Sequence, residues 1–292
     1  MRNLNENTIT QAVLDRQSGV SETRLGQIMS SLIQHMHAFA LEIDLTEDEW
    51  AAGIQFLTEV GHKCDDKRQE FILLSDTLGL SMLVTALNNR KPEGCTEATV
   101  FGPFHVEGAP HYALGEDVAN GAKGERCFVQ GVVRDIAGNP IPNAVMEIWQ
   151  ADSDGFYDVQ YQGLDQHRGR GIIHSDADGN YNFRTICAEA YPIPHDGPVG
   201  RMLEALGRHP WRPAHLHFMI KADGFETLVT HVFRDGDKYL DSDAVFGVRS
   251  SLVGEWVRHE PGETPDGNYA TLPFYTMDFD FVLNHDAGTQ KA

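Results

Sequence analysis

Arg212-Pro213-Ala214-His215-Leu216-His217-Phe218-Met219-Ile220 is the stretch that decides how this chain folds. His215, His217 and Met219 alternate with Leu216, Phe218 and Ile220, which is the period of a β-strand, so successive side chains point to opposite faces. The two imidazoles then share one face, about 6.6 Å of chain apart, and can converge on one metal ion. A neutral imidazole suits zinc, copper, iron or nickel, so the histidine pair by itself leaves the metal open.

Two tyrosines upstream, Tyr157 and Tyr191, narrow the choice. A phenol with an ordinary pKa of about 10 is a poor ligand at neutral pH unless a strong Lewis acid displaces its proton. Ferric iron can do so, and two hard phenolate oxygens favour Fe(III) over Fe(II). The chain has 14 His and 8 Tyr, so any one of the four taken singly is more often structural than a ligand. The case rests on the set.

Working outward, the hydrophobic period changes near residue 100. Before it, Leu25, Ile28, Met29, Leu32, Met36 and Phe39 recur at helical spacing, and Trp50, Ile54 and Leu57 repeat the pattern after the capping box Thr46-Glu47-Asp48-Glu49. A third apolar segment runs over 71–87. Beyond residue 100, short runs rich in β-branched and aromatic residues at 127–133, 145–149, 181–184, 214–220, 228–233 and 277–283 are separated by turn chemistry such as Asp135-Ile136-Ala137-Gly138-Asn139-Pro140. Helices followed by strands predict an α+β chain: a helical arm over 1–98 and a β-sandwich over 99–292. The Met and Leu stripe of the first part is a core or a contact face between copies.

Composition sets the limits. Lys+Arg 23 against Asp+Glu 43 gives a net charge of −20, which argues against nucleic acid or an anionic membrane surface as partner. Cys64, Cys95, Cys127 and Cys187 show no Cys-x-x-Cys spacing, so reduced thiols are the expectation. No stretch approaches the length of a membrane span and the first residues lack the apolar core of a leader, so a cytoplasmic protein is expected.

The segment Gly138-Asn139-Pro140-Ile141-Pro142-Asn143-Ala144-Val145-Met146-Glu147-Ile148-Trp149-Gln150-Ala151-Asp152, then Gly155-Phe156-Tyr157, Tyr191 and Arg212-Pro213-Ala214-His215-Leu216-His217, resembles the intradiol ring-cleaving catechol dioxygenases over nearly the whole chain. The resemblance implies a non-haem Fe(III), one per subunit, held by Tyr157, Tyr191, His215 and His217. It implies that Tyr157 leaves the metal and accepts a substrate proton while Tyr191 stays, and that Arg212 is a fixed catalytic cation. O2 and an aromatic diol or triol would be the substrates, and the helical domain would join a homodimer with a phospholipid at its interface. His231 stands where many catechol-cleaving relatives have glutamine, and it can donate a hydrogen bond as an amide can.

Asp76 lies in an otherwise apolar helical stretch, where a carboxylate is costly without a donor. It is either an N-cap for the following helix or an acceptor for an extra ring hydroxyl. Within the family, Val100-Phe101-Gly102-Pro103, Ile193-Pro194 and the run around Val245 look most like the hydroxyquinol 1,2-dioxygenases, and Leu73, Asp76, Val100, Phe101, Gly102, Pro103, Ile193, Pro194, Arg212 and Val245 match that group's pocket positions. The implied reaction, in aromatic-compound catabolism, is cleavage of 1,2,4-trihydroxybenzene to 3-hydroxy-cis,cis-muconate, which tautomerises to maleylacetate; catechol or chlorocatechol cleavage is the alternative. A transthyretin-like binding module without metal, a zinc hydrolase and a cupin-type Fe(II) oxygenase are the rivals from other classes.

Overall fold

The computed structural model describes residues 2–66 and 68–286. Two compact units make up the chain, Met1–His62 and Lys63–Ala292. The first holds helices α1 (Ile9–Asp15), α2 (Arg24–Glu42) and nearly all of α3 (Glu47–Lys63). The Thr23 hydroxyl accepts from Gly26 N to start α2. The predicted capping box opens α3: Thr46 N donates to Glu49 Oε2 at 3.0 Å and Glu49 N to Thr46 Oγ1 at 3.3 Å. The predicted stripe Leu25, Ile28, Leu32, Met36 and Phe39 is exposed, as are Trp50, Ile54 and Leu57.

The second unit begins with α4 (Glu70–Thr77) and α5 (Leu80–Asn88). The sequence reads 71–87 as one apolar segment, but the two helices meet at 78°. Gly79 makes the break: its φ of +78° is left-handed, a conformation that costs glycine nothing and other residues about 1 kcal/mol or more. Among the described residues no single helix is long and apolar enough to cross a membrane, and α4 with α5 reaches that mark only as this bent pair.

The strands are β1 (Arg126–Asp135), β2 (Val145–Trp149), β3 (Arg170–His174), β4 (Asn180–Ile186), β5 (Tyr191–Pro192), β6 (Trp211–Arg212), β7 (His215–Lys221), β8 (Leu228–Arg234), β9 (Val253–Gly254), β10 (Trp256–His259), β11 (Gly262–Glu263), β12 (Tyr269–Ala270), β13 (Phe274–Asp278) and β14 (Phe281–Leu283), with helix α6 (Pro198–Ala205) between β5 and β6. One five-stranded sheet runs β10-β13-β1-β14 with β4 also on β1, the other β3-β2-β7-β8-β9, and together they form a β-sandwich. Val129, Val133, Met146, Ile148, Phe183, Leu216, Phe218 and Ile220 fill the core between them. The run 277–283 is not one strand as expected. β13 and β14 each pair parallel with β1, and between them Asp280 Oδ1 accepts Val132 N, so the chain steps sideways where a side chain replaces a ladder bond.

β7 positions the site. Leu216, Phe218 and Ile220 enter the core, while His215, His217 and Met219 face the other way. The antiparallel register with β8 sets His217 opposite His231 and His215 opposite Phe233, and with β2 it sets His217 opposite Trp149. Cross-strand partners share a face, so one side of this sheet gathers Trp149, His215, His217 and His231.

Candidate metal centre and active site

Tyr157 ends the loop after β2, Tyr191 opens β5, and the two histidines come from β7. All four are buried. His215 Nδ1 lies 2.7 Å from Pro213 O and donates to it, which leaves the Nε2 lone pair facing inward. From there the atoms are linked: His215 Nε2 to His217 Nε2 3.2 Å, His217 Nε2 to Tyr157 Oη 2.9 Å, Tyr157 Oη to Tyr191 Oη 3.1 Å. Neighbouring ligands bound about 2.1 Å from one ion, at right angles to each other, stand about 3.0 Å apart. The donor set fits one metal ion, and two phenols beside two imidazoles fit a ferric one.

The surroundings hold these groups in a ligand-ready state. Burial, reinforced by Arg212, lowers the pKa of His215 to about 3. Burial likewise drives His217 and His231 well below the usual range, so the three imidazoles are neutral. Burial and Tyr191 push the Tyr157 phenol well above its ordinary value, against the pull of Arg212 and Arg170. Only a strong local cation ionises such a phenol. The His217 ring is clamped by Trp149, stacked at 4.7 Å and 17°, and by Gly102, where a Cβ would stand 3.1 Å from His217 Cε1.

Arg212 is buried, and its Nε and Nη2 lie 3.1 and 3.4 Å from the two oxygens of Asp243. Its Nη1 points at His215 Nε2, 3.2 Å away. Burial opposes the charge, but Asp243 together with Tyr191 and Tyr157 outweighs it and raises the guanidinium pKa. Thus the salt-bridge reading and the catalytic reading of Arg212 are compatible: one edge is anchored and the other faces the site. His231 is fully buried beside both histidines, ring centroids 4.1 Å from His217 and 4.7 Å from His215, and neither of its ring nitrogens has a partner. The ligand atoms of the three histidines lie within 4.8 Å of one another.

Residues 22–96 match the family described as catechol dioxygenase N terminus, and residues 100–285 the family described as dioxygenase. The chain belongs to the intradiol ring-cleavage dioxygenases. It is 63% identical over 284 residues to a 6-chlorohydroxyquinol 1,2-dioxygenase of Cupriavidus pinatubonensis, covering 97% of this chain and 99% of that protein. It is 52% identical over 279 residues to a hydroxyquinol 1,2-dioxygenase of Nocardioides simplex, covering 95% of each. The solved hydroxyquinol 1,2-dioxygenase from Pseudomonas putida DLL-E4 superimposes with a TM-score of 0.90 at 46% identity, over 96% of this chain and 99% of that one. The binding-module, zinc-hydrolase and cupin readings fall with these matches.

In this dioxygenase the expected pocket residues fall into two groups. Leu73, Asp76, Val100, Ile193 and Val245 are buried, whereas Phe101 and Pro103 are exposed and Pro194 is half-buried. Phe101 packs on His105 and Trp149. Asp76 is no helix cap: it lies inside α4, and α5 opens at Gly79 with no side-chain cap bond. Burial raises the Asp76 pKa, the Ser81 hydroxyl and then the charge of Arg212 oppose that, and Asp243 adds to it, so the carboxyl stands in the same field as the site. A cavity of about 480 Å³ lined by Arg208, His209 and Phe246 shares Asp243 but none of the four candidate ligands.

Asp243, Trp149 and the pair Arg170–Asp158 carry parts of this site that the sequence reading passes over. Asp158 follows Tyr157 directly, takes Arg170 Nε at 2.9 and 2.8 Å, and so fixes the tyrosine's backbone. Arg170 Nη1 donates to Phe104 O, and the Phe104 ring stacks on Tyr157 at 4.4 Å. An acid next to a candidate ligand tyrosine is the local signal, and it is a weak one.

Proposed function

We propose that this enzyme cleaves hydroxyquinol between its adjacent hydroxyls with O2, giving 3-hydroxy-cis,cis-muconate and, by tautomerisation, maleylacetate. The observation that carries the reading is Asp76: a buried carboxyl without a capping role that feels the charge of Arg212, while Leu73, Val100, Ile193 and Val245, the apolar residues expected beside it in the pocket, are buried too. The Ser81 hydroxyl already bonds this carboxyl, and a third ring hydroxyl would add a second donor. Catechol has none. The names of the relatives at 63% and 52% identity point the same way.

One Fe(III) per subunit, held by Tyr157, Tyr191, His215 and His217, would supply the Lewis acidity that ionises phenols and the electron path between ring and O2. Tyr157 Oη, within 3.1 Å of both Tyr191 Oη and His217 Nε2, is the atom that takes up a substrate proton. Arg212, anchored on Asp243, presents Nη1 to the negative charge that develops on the ring. His231 has a ring N–H free to donate to oxygen on the same face. Leu73, Val100, Ile193 and Val245, all buried, would wall the ring, with Phe101, Gly102, Pro103 and Pro194 as the more exposed members of the set.

The helical domain of 1–98 and the catalytic domain of 99–292 are supported by two family matches that meet between residues 96 and 100. A homodimer through the helical domain would cover the exposed stripe of α2 and α3, and a phospholipid could share that apolar surface. Four free cysteines accord with a cytoplasmic site of action. The test is turnover of hydroxyquinol, 6-chlorohydroxyquinol, catechol and chlorocatechols side by side under O2, with products identified by mass and ultraviolet spectrum. Hydroxyquinol and its chlorinated form should have the highest kcat/KM; a preference for catechol would overturn the assignment.

A further inference from the structure

Asp76 and Asp243 come from separate segments, yet both act on the one guanidinium of Arg212. Something has to fix the distance between those segments. Arg208, three residues past the end of α6, is placed to do it. Its Nη1 donates to Thr77 O at 2.7 Å and its Nη2 to Ala244 O at 3.1 Å. Thr77 follows Asp76, and Ala244 follows Asp243. Thr77 closes α4, where the last carbonyls have no partner within the helix and a cation is favoured. The same guanidinium lies 5.0 Å from the centre of the Phe246 ring. Phe246 has a left-handed φ of +60°, and its N donates to Asp243 O, so the loop bends back. That ring also lies against the joint of α4 and α5: a Cβ on Gly79 would stand 3.6 Å from its Cδ2.

We infer that Arg208 is a positioning residue for substrate selection: one planar guanidinium ties the helix that carries Asp76 to the loop that carries Asp243, and so fixes the two carboxyls about Arg212. The inference rests on the reading of Asp76 as acceptor for the third hydroxyl. Lysine cannot replace it, because an ammonium is a point donor on a flexible stem and does not hold two carbonyls in a fixed plane. Misplacement of an acceptor by a fraction of an ångström weakens the hydrogen bond it receives, and catechol, which makes no such bond, feels the change less.

The experiment is a cycle of Arg208→Lys, Asp76→Leu and the double variant in the iron-loaded enzyme. The readouts are anaerobic binding and kcat/KM for hydroxyquinol and catechol, with melting temperature alongside. Arg208→Lys should lower the hydroxyquinol-to-catechol ratio about tenfold. In the Asp76→Leu background the same change should move the ratio less than about twofold, because coupled residues are not additive. Arg208→Gln serves the same test should the lysine variant not fold. Equal losses on both substrates that track a lowered melting temperature would overturn the inference, as would a ratio shift undiminished in the Asp76→Leu background. If Asp76→Leu alone leaves the ratio unchanged, the Asp76 reading itself fails, whatever Arg208→Lys does.

Discussion

Arg170 and Arg212 are alike in burial and in partner but opposite in use. Each is almost wholly out of solvent, at 2% and 3% exposure, and each grips an aspartate through Nε and Nη2. Each also draws down the pKa of the same phenol, Tyr157, against its burial. Arg170 is closed, since its remaining Nη1 is spent on Phe104 O. Arg212 is open, because its remaining Nη1 meets His215 Nε2, the lone pair that a bound metal would take. Once that nitrogen is committed, Nη1 has a hydrogen bond left to give. A buried ion pair therefore becomes chemically useful only where one donor is left over, and an ion pair as such is weak evidence of function or of stability.

Tyr191→Phe should have the largest effect. It removes one of the two phenols proposed to hold the iron while leaving both ion pairs intact, so iron retention and the visible phenolate-to-iron absorption should be mostly lost with the far-ultraviolet circular dichroism unchanged. Iron analysis and an absorption spectrum check this, and a colourless, fully active zinc form would contradict the ligand assignment.

Next come the arginines themselves. Arg212→Gln should lower turnover about 10²–10³-fold per folded molecule, the scale of losing one preorganised charge-stabilising donor. Arg170→Gln takes the guanidinium from buried Asp158 but leaves it Val159 N, Arg168 N and His167 Nδ1, so the cost in stability should approach, and not exceed, the about 3–5 kcal/mol of a broken buried pair. Its turnover per folded molecule should stay within about tenfold of the parent, because no donor to substrate is lost. Turnover at low temperature, normalised to the folded fraction from denaturant melts, separates the two. Equal losses per folded molecule would erase the distinction between closed and open.

Asp76 follows. Removing an acceptor leaves the third hydroxyl of hydroxyquinol unpaired, at roughly 1–3 kcal/mol, so Asp76→Leu should lose about tenfold to a hundredfold in kcat/KM for hydroxyquinol while catechol is cleaved about as before. Asp76→Asn keeps an acceptor and should lose less. Parallel losses on both substrates would place the specificity elsewhere.

Much of this was legible along the chain. The period-2 alternation of 214–220 located β7 and both imidazoles, because a strand buried on one face by Leu216, Phe218 and Ile220 leaves its other face no freedom. Thr46 and Glu49 were legible because a capping box is local. The break at Gly79 was missed because a single glycine inside an apolar run is usually tolerated, and here a left-handed φ decides. Strand β3 was missed because Arg170 and Gly171 interrupt its apolar pattern, and Arg170 is buried only through Asp158, a long-range pairing that no local pattern records. Asp243 was missed for the same reason: it lies among other acids, and only folding selects it.

The smallest expected effect sharpens the comparison by moving the same chemistry into water. Asp196 accepts from Arg68 Nη1 at 2.5 Å and Lys63 Nζ at 2.9 Å, with its side chain 66% exposed. The hydrogen bonds from Arg68 and Lys63 lower its pKa to about 2. An unfolded aspartate titrates near 3.9. Because the folded value is the lower one, the contribution is fully present above about pH 4 and is lost as the pH falls toward about 2. Screening limits it to about 0–1 kcal/mol. Asp196→Asn should therefore lower stability slightly at pH 7, less in 1 M salt, and least near pH 2, as denaturant melts at those conditions would show. Arg68 keeps Glu70 as a partner, so no orphaned charge inflates the effect. A loss at pH 7 of the size expected for Arg170→Gln, and insensitive to salt, would mean that burial is not what separates the exposed pair from the two that flank Tyr157.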